Sequence, residues 1–165
     1  MNKVFLRVFL VILGLLSCTV FAAKNDAKQA IQIQANTVVI DEKTGLSTYS
    51  GNAKVVHGSL VLSAQNIYVF SAKDEVTKIV AKGSKNQHAY YKQNQPNQPR
   101  FIEAKALKIV YFVSKELMYL EGKAHLVQGF NSFTGGTLEY DAKTDRVLIK
   151  KSSDGTQRVK FKIKL

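Results

Sequence analysis

Residues 49–58 read YSGNAKVVHG, and residues 120–129 read LEGKAHLVQG. The two stretches begin 71 positions apart, and each places a glycine at its third and tenth position. This repetition predicts a chain of two similar halves, about residues 31–92 and 101–165. Between the halves lies a polar segment, residues 93–100, which contains both prolines of the sequence.

A second repeated pattern predicts that the long strands bend. In each copy an apolar residue is followed two positions later by a small residue. Three positions after the small residue comes a second apolar residue, and two positions after that comes a third. A three-residue step would turn the apolar side of a regular strand to the wrong face, so a bulge or bend is expected there. The copies are Ile33-Ala35-Val38-Ile40, Leu62-Ala64-Ile67-Val69, Ile102-Ala104-Leu107-Ile109 and Phe133-Gly135-Leu138-Tyr140.

Alternation of apolar and polar side chains predicts an all-β domain. Residues 31–36 and 159–165 alternate strictly, and residues 107–113 place an apolar side chain at every second position. No segment after Ala30 shows sustained helical spacing. Turn signals rich in Gly and Asp recur at short intervals, so we expect roughly ten strands joined as hairpins in an antiparallel sandwich or barrel.

The first 22 residues have the layout of a secretory signal peptide. Lys3 and Arg7 give a positive start, residues 8–16 are apolar, and small side chains surround a cleavage point after Ala22. We therefore predict a cleaved signal helix over residues 1–22 and a single domain over residues 23–165. Two alternatives stay open. Residues 8–23 could be an uncleaved membrane anchor, although a spanning helix needs about 20 apolar residues, and Cys18 could be lipidated.

Charge and cysteine content narrow the class of partner. The formal net charge is +12, and loss of Lys3 and Arg7 with the leader lowers it to +10. A basic exported protein suits an anionic partner such as lipid or a phosphorylated glycolipid. Nucleic acid is disfavoured because the leader directs the chain out of the cytoplasm. The chain after Cys18 holds no cysteine, which excludes disulfides, thiolate metal sites and thiol nucleophiles from the exported domain.

Nothing in the sequence indicates an enzyme, a metal site or a cofactor. The three histidines are His57, His88 and His125. His57 and His125 are expected at equivalent exposed hairpin positions. Neither has a neighbouring carboxylate pair or a glycine-flanked serine, and no third metal ligand recurs near them.

Several of these stretches resemble the OstA-like family of periplasmic lipopolysaccharide-transport proteins. The likeness runs from Ile31 to about Leu148. It is carried by the number and order of short marks, because none of them is a catalytic motif. The marks are IQIQA at 31–35, YSGNAKV at 49–55 with Gly58, AQNIYV at 64–69 and LEGKA at 120–124.

The resemblance implies a bent two-sheet antiparallel β-jellyroll in the periplasm that binds lipopolysaccharide by its lipid A acyl chains. Members of the family stack end to end as homo-oligomers by edge-strand addition. The resulting bridge meets a membrane-anchored jellyroll partner at the inner membrane (LptC-like) and the N-terminal domain of a translocon at the outer membrane (LptD-like). The alternative reading makes this chain itself the membrane-anchored docking component.

Residues on the apolar faces of the strands are candidates for contact with the acyl chains. By alternation they include Ile33 and Ile109, and the resemblance places others at lipid-facing positions. For each residue, simple core packing is an equally good interpretation. The predicted lipid-binding set is Ile31, Ile33, Tyr90, Ile109, Tyr111 and Val113. Lysines at the rim could meet phosphates, and the candidates are Lys24, Lys28, Lys105 and Lys108.

Overall fold

The protein is all-β, as the sequence predicts. The computed structural model describes residues 30–73, 75–95 and 100–164, so the expected signal peptide lies outside the described residues. Within the described part no helix has the length and apolar character needed to cross a membrane. The strands are β1 (Gln32–Gln34), β2 (Thr37–Asp41), β3 (Leu46–His57), β4 (Leu60–Ala72), β5 (Glu75–Lys82), β6 (Ala89–Asn94), β7 (Phe101–Ala106), β8 (Lys108–Phe112), β9 (Leu117–Gln128), β10 (Asn131–Asp141), β11 (Arg146–Lys150) and β12 (Lys160–Lys162).

Four long strands, β3, β4, β9 and β10, build two layers because each bends and contributes one end to each layer. The first layer has the order β2-β3-β4-β5-β8-β9-β10-β11. The second layer has the order β1-β3-β4-β6-β7-β9-β10-β12, and all of its pairings are antiparallel. The result is a bent two-layer jellyroll.

The bends lie at the repeated glycines. In β3, Gly51 and Asn52 have φ values of 80° and 51°, and the register with β4 shifts between Ser50 and Ala53. In β9, Gly122 and Lys123 have φ values of 74° and 51°. A pair of left-handed residues inserts a bulge that turns the strand. The repeated stretches 49–58 and 120–129 therefore each contain the same kind of bulge.

The three-residue steps of the second pattern coincide with the same line of bends. One step separates β1 from β2 and another separates β7 from β8. A third lies in β10, where the register with β9 shifts between Gly135 and Thr137. The predicted bends are confirmed, and they explain why twelve strands form where the alternation predicts about ten.

Small side chains close the molecule along the bend. Ala53 lies opposite Ala64, Ala89 opposite Ala106, and Ala124 opposite Gly135. The alanines in these pairs are at most 1% exposed. Since alanine side chains let the layers approach closely, the two layers meet here, and the space between them lies toward the turns at their free ends.

The two halves repeat the same set of strand pairings. Strand β3 pairs with β1, β2 and β4, just as β9 pairs with β7, β8 and β10. Strand β4 also pairs with β5 and β6, as β10 pairs with β11 and β12. The halves join through β5–β8 in the first layer and β6–β7 in the second. This internal joint buries one edge of each half.

Candidate functional site

The space between the layers is a trough lined by continuous rows of inward side chains. Residues directly opposite on neighbouring strands share a face, and the middle members of the rows are buried except for Ile79 and Tyr111, which are partly buried. Two rows belong to the first layer: Val38, Tyr49, Ile67, Ala81, Ile109, Leu120, Leu138, Ile149, and Ile40, Ser47, Val69, Ile79, Tyr111, Met118, Tyr140, Val147. One row belongs to the second layer: Ile33, Val55, Leu62, Tyr91, Ala104, Leu126, Phe133, Phe161.

The trough has an apolar middle. A small cavity there is lined by Leu60, Leu62, Ile79, Tyr91 and Tyr111, among others. The rings of Tyr91 and Tyr111 face each other across the layers, with centroids 6.1 Å apart. Burial raises the pKa of both phenols, so both are neutral at physiological pH.

Both ends of the trough are open and apolar. At the first edge the rows end in Ile33, Val38 and Ile40, which are 39%, 49% and 62% exposed. At the last edge Phe161 is 70% exposed. An isolated monomer rarely leaves this much apolar surface uncovered without a function. The inward rows therefore present their ends to whatever adjoins the molecule.

Toward the last edge the free margin of the trough is polar. A cavity of about 480 Å³ lies there between the layers, and Gln93, Gln95, Glu116 and Tyr140 are among its lining residues. Burial, together with the nearby charge of Asp145, raises the pKa of Tyr140 to about 12. The phenol therefore stays protonated and can donate a hydrogen bond at neutral pH.

Three of the six predicted lipid-binding residues lie in the inward rows. They are Ile33, Ile109 and Tyr111, and Ile109 is only 1% exposed. Ile31 precedes β1 and is 59% exposed. Val113 follows β8, is partly buried, and its backbone N–H donates to the carbonyl of Thr77 at 3.1 Å. Ile33 and the neighbouring Ile31 lie at the first edge of the second layer, whereas Ile109, Tyr111 and Val113 lie in or beside β8 of the first layer.

The inward orientation predicted for Tyr90 is wrong. Tyr90 lies opposite Lys105, on the outer face of the second layer, with the Lys105 ammonium 5.4 Å from its ring centroid. Tyr91, which is 6% exposed, takes the inward position. Adjacent tyrosines in a short strand give no alternation to follow, and a shift of one residue reverses the face.

Sequence reasoning missed several trough residues that the repeated pattern contained. Leu62 and Tyr140 stand in two of its copies, at the inward positions that the structure confirms. Applying the pattern to every copy would have found them. Ile79 and Met118 lie outside the pattern, and only strand pairing reveals them.

The predicted rim lysines that the structure describes lie on the outer faces. Lys105 Nζ is 3.0 Å from Glu103, and Lys108 Nζ is 3.0 Å from Glu121. Each therefore has a carboxylate partner away from the trough. Lys24 and Lys28 lie outside the described residues.

The histidines do not form a common site. His57 pairs with Leu60 at the end of β3, so its counterpart in the second half is Gln128, which pairs with Asn131. His125 instead faces outward, with Nδ1 3.0 Å from Thr134 Oγ1. The expected equivalence of His57 and His125 is therefore wrong. Within the described ranges no three His, Cys, Asp or Glu side chains cluster as metal ligands would.

Known proteins resemble this chain along most of its length. The family described as LptA/(LptD N-terminal domain) LPS transport protein matches residues 32–146. The lipopolysaccharide export system protein LptH of Pseudomonas aeruginosa is 29% identical over 127 residues, which is 77% of this chain and 71% of that protein. The lipopolysaccharide export system protein LptA of Haemophilus influenzae is 26% identical over 159 residues, 96% of this chain and 88% of its own.

The fold is also found among solved structures. One of these is the crystal structure of LptH from Pseudomonas aeruginosa, described as the LptA homologous periplasmic component of the conserved lipopolysaccharide transport device. The match has a TM-score of 0.72 and 27% sequence identity, and covers 85% of this chain and 99% of that chain.

Proposed function

The chain belongs to the LptA/(LptD N-terminal domain) family of LPS transport proteins, and from this premise we propose that it is a periplasmic bridge protein that carries lipopolysaccharide from the inner to the outer membrane. Its relatives are named as export components. The names LptA and LptH favour the bridge over the membrane-anchored docking component. We infer that the protein catalyses no reaction and that residues 1–22 are a cleaved signal peptide.

One observation carries the proposal: the inward rows are apolar in the middle, and exposed apolar side chains end all three rows at the first edge and, as Phe161, one row at the last edge. Each methylene group left in water costs about 0.8 kcal/mol, so a lipid with several acyl chains needs continuous cover between two membranes. A trough that is open at both ends lets the chains pass from one molecule to the next. The sugars and phosphates remain in water outside the free margin.

The lipid-binding residues that we propose follow the trough. They comprise Ile31, Ile33, Ile109, Tyr111 and Val113, with Tyr91 in place of Tyr90. Ile33 and Tyr111 contribute exposed or partly exposed apolar surface. Ile109 is buried in the closed trough and would meet lipid only after the layers separate.

Site-specific photocrosslinking in cells tests this function. A photoreactive amino acid is placed at Tyr111 or Val113, and at Lys150 as the control, because Lys150 is exposed on an outward row of the first layer. We expect lipopolysaccharide adducts from Tyr111 and Val113 and none from Lys150. Equal labelling at all three positions, or none at any, would exclude the trough.

The bridge itself requires end-to-end contact, and the edges of the molecule suit it. Among the described residues, β1 and β2 pair with β3 alone, and β11 and β12 pair with β10 alone, so each edge has unpaired backbone groups within that part of the chain. Such edges pair readily with another strand. We propose that β11 and β12 of one molecule add to β2 and β1 of the next. Because this contact does not close on itself, it builds a filament.

The internal joint supports a specific register for the joint between molecules. Val80 lies opposite Val110 where β5 meets β8. By strand pairing, Leu148 in β11 occupies the position that Val80 occupies in β5, and Val39 in β2 occupies the position of Val110 in β8. Leu148 would therefore lie opposite Val39 of the next molecule. The same register sets Phe161 against Ile33 in the second layer. Apolar side chains exposed at the two edges would then cover each other.

The same register sets opposite charges together. Lys78 lies opposite Phe112 in the internal joint, and these positions correspond to Arg146 and Asp41 at the outer edges. Arg146 of one molecule would therefore face Asp41 of the next.

We infer that a membrane-anchored jellyroll at the inner membrane and the N-terminal domain of the outer-membrane translocon cap the filament. The family description supports this, since it joins LptA with the LptD N-terminal domain.

A further inference from the structure

We propose that Gln95, Gln128, Tyr140 and Asp145 form a latch that closes the outer end of the second half of the trough, beyond the cavity that Gln95 and Tyr140 line, and confines acyl chains to the rest of the trough. The proposal rests on the lipid-carrying function above and adds which part of the trough a bound chain occupies. The latch opens when lipid separates the layers, and only then does this outer end admit acyl chains.

The latch is a chain of hydrogen bonds between the layers. Gln95 Nε2 donates to the hydroxyl of Tyr140 at 3.2 Å, and that hydroxyl donates to Asp145 Oδ1 at 3.3 Å. Gln128 Nε2 donates to the same carboxylate oxygen. Gln95 and Gln128 belong to the second layer, whereas Tyr140 and Asp145 belong to the first. Bonds that share atoms in this way polarise and reinforce one another.

The anchor points of the latch are fixed in the fold. Gln128 ends β9 and is 5% exposed. It is the one buried polar or charged side chain among the residues that the structure describes. Gln95 follows β6, and its backbone N–H donates to the carbonyl of Arg100 at 2.9 Å, across the β6–β7 hairpin. A buried amide in an apolar layer is costly unless it is bonded, so this arrangement holds the layers together.

Among the residues that the structure describes, the first half lacks the corresponding contacts. Strand pairing places Val69 where the second half has Tyr140, and His57 where it has Gln128. Within the described ranges neither Val69 nor His57 makes a hydrogen bond to the other layer. Asp74, which corresponds to Asp145 in the sequence repeat, lies outside the described residues. Two halves with the same fold therefore differ in how their layers are joined.

The closed latch is incompletely bonded, so it is suited to opening. The side-chain oxygen Oε1 of Gln95 is buried and has no hydrogen-bond partner among the described residues. A buried acceptor without a partner destabilises the closed state. When the layers separate, this oxygen and the other latch groups gain access to water. Entry of lipid would therefore cost little beyond the bonds that it breaks.

Matched photocrosslinking positions test the latch. Ile79 and Val147 occupy the same place in the two halves: Ile79 lies opposite Val69, Val147 lies opposite Tyr140, and both are partly buried. In the unmodified protein we expect lipopolysaccharide to label Ile79 several times more strongly than Val147. Asp145→Ala should raise labelling at Val147 by roughly tenfold, the shift that loss of one or two hydrogen bonds produces, and leave Ile79 unchanged.

Two further variants separate the latch from damage to the fold. Asp145→Asn keeps an acceptor oxygen and should retain the labelling ratio of the unmodified protein. Asp154→Ala removes the acceptor of two hydrogen bonds that Thr156 donates in the loop between β11 and β12, outside the inward rows. This variant should also retain the labelling ratio of the unmodified protein. Equal labelling at Ile79 and Val147 in the unmodified protein, or an unchanged ratio in Asp145→Ala, would overturn the latch. Absence of lipid at both positions in every variant would instead overturn the proposed function.

Discussion

Individual aspartates stabilise the turns at the free ends of the first layer. Asp41 accepts hydrogen bonds from the backbone N–H groups of Lys43 and Thr44 at 3.0 and 3.1 Å. Asp141 accepts the same pair from Lys143 and Thr144, at 2.9 and 3.2 Å. Hydrogen bonds from threonine side chains, followed by those from the backbone, lower the pKa of both carboxyls.

A lowered pKa predicts loss of stability in acid. The stabilising contribution is fully present above the unfolded-state pKa, about 3.9, and is lost as the pH falls through the lower folded-state pKa. The double variant Asp41→Asn with Asp141→Asn keeps the acceptor oxygens but cannot titrate. Its melting temperature should fall less between pH 7 and pH 2 than that of the unmodified protein, as followed by circular dichroism.

The control for this comparison removes one exposed and one partly buried carboxylate, neither of which accepts a hydrogen bond within the described structure. Glu42→Gln with Glu139→Gln should lose as much stability in acid as the unmodified protein does. If the aspartate and glutamate variants respond alike, general charge repulsion rather than the turns accounts for the acid sensitivity.

Orientation of single side chains is where the sequence alone was least reliable. The alternation around Ile33 indicated its inward orientation, because residues 31–36 have a clear period of two. At Tyr90 and Tyr91 two large side chains are adjacent and neither flank alternates. Only pairing of Tyr91 with Leu62 and Ala104 resolves which one faces inward, and pairing partners are remote in sequence.

The bent strands depend on glycine at the bulges. Gly122 has a φ of +74°, and a Cβ there would lie 2.8 Å from Leu107 Cδ1. Gly155 has a similar φ of +70°, but a Cβ there would meet nothing within 4 Å. Gly155→Ala should therefore lose only the backbone preference, about 1–2 kcal/mol. Gly122→Ala should lose a further 1–3 kcal/mol or so from overpacking.

Urea unfolding monitored by circular dichroism measures this difference. The two variants share the backbone strain, so the gap between their free energies of unfolding reports the close approach of Leu107 to the bulge. Equal losses in both variants would show that the bend tolerates a side chain, and that the glycine is needed for its φ alone.

Bends were predictable at this level because their signal is local. A three-residue step in the apolar pattern and a small residue beside it lie within eight positions of each other, as in Leu62 to Val69. The assignment of β5 and β6 to opposite layers was not predictable. It depends on which end of β4 each strand pairs with, at Tyr68 or at Leu62, and the sequence of neither strand records that choice.

Assembly of whole molecules can be tested through the register that the internal joint supplies. Directly opposed residues in antiparallel strands have Cα atoms about 4.5–5.5 Å apart, within reach of a disulfide, whereas residues offset by two lie about 7–8 Å apart. Molecules with Val39→Cys mixed with molecules with Leu148→Cys should form disulfide-linked dimers several times faster than a mixture of Thr37→Cys and Leu148→Cys.

The measurement is the rate of dimer formation on non-reducing gels. The sequence contains no cysteine besides Cys18, so in protein that starts after Cys18 a dimer that forms in the mixture, but not in either variant alone, joins the two introduced cysteines. Faster linkage through Thr37→Cys would show that the edges pair in another register. Absence of dimers in both mixtures would argue against edge-to-edge stacking.

At the level of the molecule, the sequence supported the architecture and the family, and both are confirmed. Repetition over 71 residues and the alternation of the strands predicted the architecture, and the short marks at 31–35, 49–58, 64–69 and 120–124 carried the resemblance to the family. The polar bonds across the trough were not foreseen. Gln128 and Asp145 are 17 positions apart and neither lies in a recognisable motif, so only the folded chain brings them together.

The internal joint has a consequence for how far such filaments extend. Since the contact inside each molecule would recur between molecules, every added subunit meets the same surface as the one before it. No residue in that contact sets the number of subunits or ends the growth of the filament. The width of the periplasm and the supply of capping domains would then determine the length of the filament. The protein itself would not determine it.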